Sequence, residues 1–319
     1  MKPIYVFFIG FVLFPLSYAM PMDCYDHMNK GFKLHQSSAS ELSGNNSALL
    51  TTIEGHYQTA IDMCPNLCEK YPELCDNFGL VSQNLGKLKI AEFYFKQSIL
   101  SKPNMESAFL HLAELYEKQK LFALALHNYL KIIEINKDHV KAAEHAKNIF
   151  MNQDCLGVAV EDQHVLSPDS MYNVVACASI FDRYKKRFNI TRSIVVAPVA
   201  FRNILFELGS DQLQPKSSQQ LDNILTMMNE HNDLKLVISG HTDDTPVNRN
   251  LPMHDNEYCR SNQCLSEYRA LSVKNYLIEH GVSNKRLKTQ GYADTMPYDP
   301  NNKPLNRRVE ILDMDYCSE

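Results

Sequence analysis

The sequence predicts a multidomain protein: an α-helical solenoid of short repeats, followed by an α+β sandwich with β-α-β-α-β order. Three observations predict it. Helical periodicity over residues 52–150 repeats itself at 34 residues. Beyond residue 198, strand-like runs alternate with helical ones. Between the two, residues 151–197 hold neither pattern for long and read as a connector.

At the amino terminus, residues 1–19 carry one Lys, a long apolar run and the small-residue ending Ser17-Tyr18-Ala19. This is the pattern of a secretory signal peptide, expected to be cut after Ala19. An uncleaved anchor is the alternative, because about 20 apolar residues can span a bilayer. Cys24 invites a lipoprotein reading, but Pro21-Met22-Asp23 lacks the small apolar residues such a site needs. No later segment is long and apolar enough to cross a membrane, so no integral segment is expected after cleavage. Residues 20–51 are rich in Ser and Asn and read as a polar lead-in. Asn45-Asn46-Ser47 and Asn189-Ile190-Thr191 match the glycosylation triplet, a pattern common by chance.

Within residues 52–150, the 34-residue offset sets Gly79 on Ala113, Ala91 on Ala125 and Phe95 on Tyr129. It also sets Ser82 on Tyr116 and Ser98 on Ile132. Two helices pack tightly only where facing positions are small, and Phe95 and Tyr129 then fill the gap. The spacing resembles the tetratricopeptide (TPR) repeat. Pro103 closes the first repeat as that family expects, whereas Lys137 stands there in the second. Lys141 to Phe150 reads as a capping helix, and residues 52–72 leave room for a degenerate earlier pair that does not align. A generic bundle of helical hairpins is the competing reading. With two clear repeats, the stack would lean on flanking helices or on a second copy. A concave TPR face implies a protein partner, bound as an extended peptide or a helix.

In the connector, Val174, Val175, Ala178 and Phe181 form an apolar stripe within Asp169 to Lys186. The basic run Asp182 to Arg187 reads as a solvated face. The last domain, 198–319, is expected to open with a strand at Ile204 to Glu207, followed by a helix from Pro215 carrying Leu221, Ile224, Leu225 and Met228. A central strand follows, with Leu234, Leu236 and Ile238 alternating along it and Gly240 ending it. Asn262 then caps a helix with Leu265, Tyr268, Ala270, Val273 and Leu277 at helical spacing, closed by Gly281. Arg286 to Gln290 and Arg308 to Leu312 complete the strands, with helices on one face of the sheet.

Asp243 stands at the carboxyl end of the central strand, where ligands usually bind in open sheets. Arg269 lies on the first turns of the following helix, whose amino end offers unpaired N–H groups. Such a pair can clamp a zwitterion, Asp243 taking an ammonium and Arg269 a carboxylate. A structural Asp243–Arg269 salt bridge is the alternative.

Gly240-His241-Thr242-Asp243, then Asn262, Leu265, Ser266, Arg269, Ala270 and Val273, and finally Asn306-Arg307-Arg308-Val309-Glu310 resemble the signature of the OmpA-like peptidoglycan-binding domain. Ile204 to Leu213 resembles its opening strand, with Glu207 where the family usually has Asp. The resemblance spans roughly 120 residues. It implies non-covalent binding of diaminopimelate in the peptidoglycan stem peptide, with Asp243 and Arg269 as main ligands. Thr242, Asn262 and Arg307 are implied as supporting residues. The short stretch Asn301 to Leu305 and the long loop from Asp243 to Asn262 depart from the family pattern. The loop's opening is similar to the flagellar stator subgroup. His241 is implied to shape the turn.

The chain has nine Cys, namely Cys24, Cys64, Cys68, Cys75, Cys155, Cys177, Cys259, Cys264 and Cys317. Export makes disulfides expected, and the odd count leaves a thiol over. Cys155/Cys177 and Cys259/Cys264 are natural neighbours, but connectivity does not follow from sequence. Cys64, Cys68 and Cys75 fit no zinc spacing, so no metal or other cofactor is expected. A net charge of −5 over 319 residues gives no basic face for nucleic acid. No nucleophile elbow, H-E-x-x-H motif or phosphate-cradling loop is present, so no catalysis is expected. Two functional classes remain. One is a periplasmic envelope protein, attached to the cell wall and associated with the outer membrane, that grips peptidoglycan and holds a partner through its TPR repeats. The other is a protein-interaction component of a secretion or motility complex that binds no peptidoglycan.

Overall fold

The computed structural model describes residues 23–37, 47–156, 159–160, 165–193, 197 and 199–315. The signal peptide expected at 1–19 and the remaining cysteine, Cys317, lie outside the described residues. Among those described, no helix is long and apolar enough to cross a membrane. The chain divides into two compact units, Met1–Met105 and Glu106–Glu319.

The first unit is helical. The stretch expected as a polar lead-in instead contains α1 (Cys24–Ser37) and the start of α2 (Ser47–Met63), which pack as a hairpin. Cys24, Met28 and Gly31, at i, i+4 and i+7, form the buried face of α1. The missing side chain at Gly31 lets the Tyr57 ring lie against the helix. A disulfide from Cys24 to Cys64 closes the open end of the hairpin. So polar a helix is held by packing and by this cross-link rather than by its own propensity.

After α3 (Leu67–Lys70) come α4 (Pro72–Asn84) and α5 (Leu88–Ser101). A second disulfide, Cys68–Cys75, ties α3 to α4. Gly79 meets the Phe95 ring and the Ala91 carbonyl, so any side chain there would force the two helices apart. Phe95 is fully buried, a burial that stabilises by roughly 1.5–3 kcal/mol. Ser98 Oγ donates to the Pro72 carbonyl at 2.9 Å, fixing α5 to the start of α4. Tyr57, Phe78 and Tyr94 stand in a row of rings, with centroids 6.1 Å and 4.2 Å apart, so both hairpins share one core.

The second unit begins with α6 (Glu106–Lys118) and α7 (Phe122–Ile135), where Ala113, Ala125 and Tyr129 are all buried as the repeat predicts. α8 (Val140–Asn152) packs on α7 as the expected capping helix. The stretch expected as a connector contains β1 (Ala159–Val160), α9 (Pro168–Val175) and α10 (Cys177–Phe188). It brackets α7 at both ends. Asn173 Oδ1 accepts from the Ala123 and Leu124 N–H groups, satisfying donors that a helix start leaves open. Arg187 donates to the Ile133 carbonyl in the last turn. A third disulfide, Cys155–Cys177, holds α10 to the end of α8.

The α+β part contains β2 (Val199–Phe201), α11 (Ser218–Glu230) and β3 (Leu236–His241). A small hairpin follows, formed by β4 (Leu251–Pro252) and β5 (Tyr258–Cys259). Next come α12 (Asn262–Glu279), β6 (Leu287–Gly291), α13 (Lys303–Asn306) and β7 (Arg308–Asp313). The sheet order is β1-β2-β7-β3-β6; β3 runs parallel to β6 and antiparallel to β7. α12 lies along β3 and β6, α9 against β2 and β7, and α11 packs on both helices.

The opening strand is β2, not Ile204 to Glu207. Residues 204–214 instead turn back on themselves, with one bridge between Phe206 and Leu213 and Gly209 in the left-handed region. That turn becomes a wall of the site described below. The true cap of α12 is Ser261, whose side chain accepts from Cys264 N–H, one residue before the expected Asn262.

Candidate binding site at the end of the central strand

Two glycines bring the site together. A side chain on Gly240 would run into the Ser266 carbonyl, and one on Gly291 into Ser266 and Glu267. The first turns of α12 therefore sit directly on the carboxyl ends of β3 and β6. This close approach carries Arg269 toward the tip of β3. Ser266 Oγ also accepts from Ala293 N–H at 3.0 Å, and the Ala293 carbonyl accepts from Thr242 N–H at 2.8 Å. The tip is thus held from two sides.

His241, 1% exposed, stacks on Tyr292, with Nε2 3.3 Å from Glu310 Oε2. Arg308 Nε donates to the other Glu310 oxygen at 2.7 Å. Burial alone would raise the Glu310 carboxyl, but His241 and Arg308 outweigh it and hold it below its ordinary value. His241 is therefore part of the packed base of the site.

Asp243 follows. Its Oδ1 accepts from Thr245 N–H at 2.9 Å, and its Oδ2 from Arg307 Nη1 at 2.7 Å. Burial pushes this carboxyl up, while Arg307 and the Thr245 N–H push it further down, so the net shift is downward. Asn262 Nδ2 donates to the Asp243 carbonyl at 3.1 Å, tying the strand tip to the start of α12. Thr242 Oγ1 is buried without a hydrogen-bond partner among the described residues. Asp244 pairs with Lys303 at 2.7 Å on the exposed side.

Arg269 does not bond to Asp243. Its Nε donates to the Ser210 carbonyl at 3.2 Å, and its guanidinium lies 5.1 Å from the centre of the Phe206 ring. Both contacts come from the 204–214 turn. Burial pulls its pKa down to about 10, with Arg307 adding to the effect and Asp243 and Asp211 opposing it. It remains a cation at neutral pH. Arg269 and Arg307 line one cavity of about 190 Å³, with Phe206, His241 and Arg308. Its size suits the charged end of an amino acid rather than a large ligand.

Asp243, Asn262 and Arg307 are therefore in direct contact, and Arg269 shares the cavity with Arg307. The simple Asp243–Arg269 salt bridge is replaced by Asp243–Arg307. Sequence reasoning missed Arg202, which lines the cavity just after β2, and Phe206, which supports Arg269. Recognising β2 would have pointed to Arg202.

In the first unit, Ile90, Phe93 and Leu100 leave one apolar face of α5 exposed. Those positions, i, i+3 and i+10, fall on the same side of a helix.

Over 113 residues the chain is 31% identical to the peptidoglycan-associated lipoprotein of Buchnera aphidicola subsp. Baizongia pistaciae, covering 34% of this chain and 59% of that protein. It is 33% identical over 113 residues to the probable lipoprotein YiaD of Escherichia coli, covering 34% of this chain and 47% of that one. The chain thus spans about half the length of these curated relatives. A crystal structure of the periplasmic domain of Helicobacter pylori MotB aligns at 27% identity and a TM-score of 0.31, covering 36% of this chain and 79% of that one. Residues 205–310 match the OmpA family and residues 72–105 the tetratricopeptide repeat, so this chain carries an OmpA family domain preceded by a tetratricopeptide repeat.

Proposed function

We propose that the carboxyl-terminal domain binds peptidoglycan without catalysis, gripping the diaminopimelate end of the stem peptide, while the helical repeats hold a protein partner. The observation that carries this is Arg269, a partly buried guanidinium with no carboxylate bonded to it, lining a cavity of amino-acid size with Arg307, which in turn holds the ionised Asp243. A guanidinium partly withdrawn from water and bonded to a single carbonyl keeps donors to offer an anion. The ligand's ammonium would replace Arg307 on Asp243. Arg307, with a side chain 50% exposed, would then turn toward the ligand and share its carboxylate with Arg269. Asn262 and Thr242 hold the strand tip in place while this exchange occurs. The likeness to a peptidoglycan-associated lipoprotein supports the same reading. Export through a signal peptide at 1–19 would deliver the protein to the periplasm, attached to the wall and close to the outer membrane. The exposed apolar face of α5 is a natural part of the partner surface.

Co-sedimentation with peptidoglycan sacculi tests this, comparing wild type with Asp243→Ala and Arg269→Ala, each checked for folding by circular dichroism. Binding by wild type and at least tenfold weaker binding by each folded variant is expected, since each removes about 1.5–3 kcal/mol of charge-assisted bonding. Equal retention of all three would sink the proposal.

A second reading draws on the Asp243–Arg307 pair itself. If that pair is permanent, the pocket is closed to an ammonium, and the domain is a protein-interaction part of an envelope secretion or motility complex. Wild type left in the supernatant would favour it.

A further inference from the structure

The long loop between β3 and α12 is built into the site. Its hairpin is fastened to α12 by the Cys259–Cys264 disulfide, and Leu251, Met253, Cys259 and Leu265 form a small buried cluster beside Tyr268. From the hairpin, His254 reaches the 204–214 turn and joins Asp211 Oδ2 through its Nδ1 in a hydrogen bond. Ser272 Oγ approaches the same oxygen at 3.4 Å, and His254 N–H at 3.5 Å. Asp211 is 1% exposed, and its Oδ1 has no hydrogen-bond partner among the described residues. A carboxyl group buried this deeply is unfavourable unless its partners and geometry compensate. Packing alone would be served as well by a small apolar residue.

What the turn does for Arg269 supplies the reason. Ser210, next to Asp211, accepts from Arg269 Nε, and Phe206 lies under its guanidinium. One end of the turn is tied down through Ser217 Oγ, which accepts from Leu205 N–H at 2.7 Å. At its tip, Asp211 is gripped by His254, and the Leu251 side chain lies against Gly209. The turn is braced internally, with Glu207 N–H donating to the Gln212 carbonyl and Gln214 N–H to the Leu205 carbonyl, and its attachment to the hairpin fixes where the braced turn sits beneath Arg269.

We propose that Asp211 and His254 are positioning residues, a clasp that locks the 204–214 turn to the β4–β5 hairpin and so holds Arg269 aimed into the cavity for its anionic ligand. The choice of ligand rests on the peptidoglycan reading above, whereas the clasp itself does not. Neither residue touches the ligand. Asp211 also acts on Arg269 through its charge, whereas the effect of His254 passes through Asp211, the Ser210 carbonyl and the Phe206 ring, so His254→Gln isolates the clasp. A long loop that would otherwise add entropy to the domain becomes the outer support of the binding arginine.

The test uses the full chain and three variants, Asp211→Asn, His254→Gln and His254→Lys. The side chain of His254 is 40% exposed, so its replacements leave the core intact. The first measurement needs no ligand. It follows the Nε–H resonance of Arg269, assigned by its disappearance in Arg269→Lys, for exchange with water. Slow exchange is expected in wild type and His254→Lys, which places an ammonium opposite Asp211, and fast exchange in Asp211→Asn and His254→Gln. Slow exchange in all four proteins would overturn the clasp. The second measurement is affinity for a soluble stem peptide ending in diaminopimelate. About tenfold weaker binding is expected for Asp211→Asn and His254→Gln, with recovery in His254→Lys. If wild type binds no stem peptide, the peptidoglycan reading fails, and the exchange measurement still decides the clasp.

Discussion

Arg307 donates to Asp243 at 2.7 Å, so the carboxylate that sequence motifs assign to a ligand's ammonium is already occupied by a cation of the protein itself. The pair is half open to water on the arginine side, so it adds at most about 1 kcal/mol to stability. Its main effect is on the carboxyl. Replacing Arg307 by Gln removes the strongest single influence that lowers the Asp243 carboxyl, its hydrogen bond to Arg307. The Asp243 titration, followed by carboxyl carbon NMR, is expected to move upward toward the ordinary aspartate range. An unmoved titration would assign the depression to the Thr245 N–H alone.

Gly240→Ala is expected to be costly far beyond its one added methyl. The new carbon would meet the Ser266 carbonyl, which belongs to helix backbone and cannot swing aside. Overpacking of this kind costs about 1–3 kcal/mol, occasionally more. Urea unfolding of the variant should show that loss. Gly55→Ala, inside α2 and with nothing within 4 Å of its added carbon, serves as the control and should stabilise by about 0.5–1 kcal/mol.

His127 on α7 makes stability depend on pH. Burial lowers its pKa to about 4 from an ordinary 6.5, with Lys131 and Arg183 adding to the effect and Asp233 opposing it. The unfolded chain therefore takes up this proton first as pH falls. The contribution of neutral His127 is complete above pH 6.5, declines as pH falls from there toward 4, and is flat below. The ring keeps some contact with solvent, so the loss should be about 1–3 kcal/mol rather than the full linkage value. Denaturant unfolding of wild type and His127→Gln at several pH values measures it. The two slopes should differ over that window, and parallel curves would contradict the assignment.

Much of the carboxyl-terminal domain is legible in the sequence because its signals are local. Leu236 and Ile238 alternate on β3, the cap and apolar stripe of α12 follow in order, and Val309 and Ile311 mark β7. The repeat is legible for the same reason, since Gly79 and Phe95 report on each other at a fixed spacing. Illegible features depend on distance or competition. In the α1–α2 hairpin, Gly31 and Tyr57 make the same small-against-large contact, but they are 26 positions apart (57 − 31). Gly79 and Phe95 are 16 apart (95 − 79), so the first pair cannot align at the repeat period. β2 is only three residues long and follows Pro198, so it lacks an alternating stretch that could announce it. The partner of Asp243 is a contest between two arginines, Arg269 and Arg307, settled by which one the 204–214 turn holds back.

The four disulfides join Cys24 to Cys64, Cys68 to Cys75, Cys155 to Cys177, and Cys259 to Cys264. No link encloses or crosses another: each described cysteine pairs with the next one along the chain. Eight cysteines allow 105 pairings. For a polypeptide threaded amino end first into an oxidising compartment, this arrangement is the one reached by simple order of arrival. In such a passage each thiol would meet its partner before any later competitor had emerged, so oxidation would need no reshuffling step.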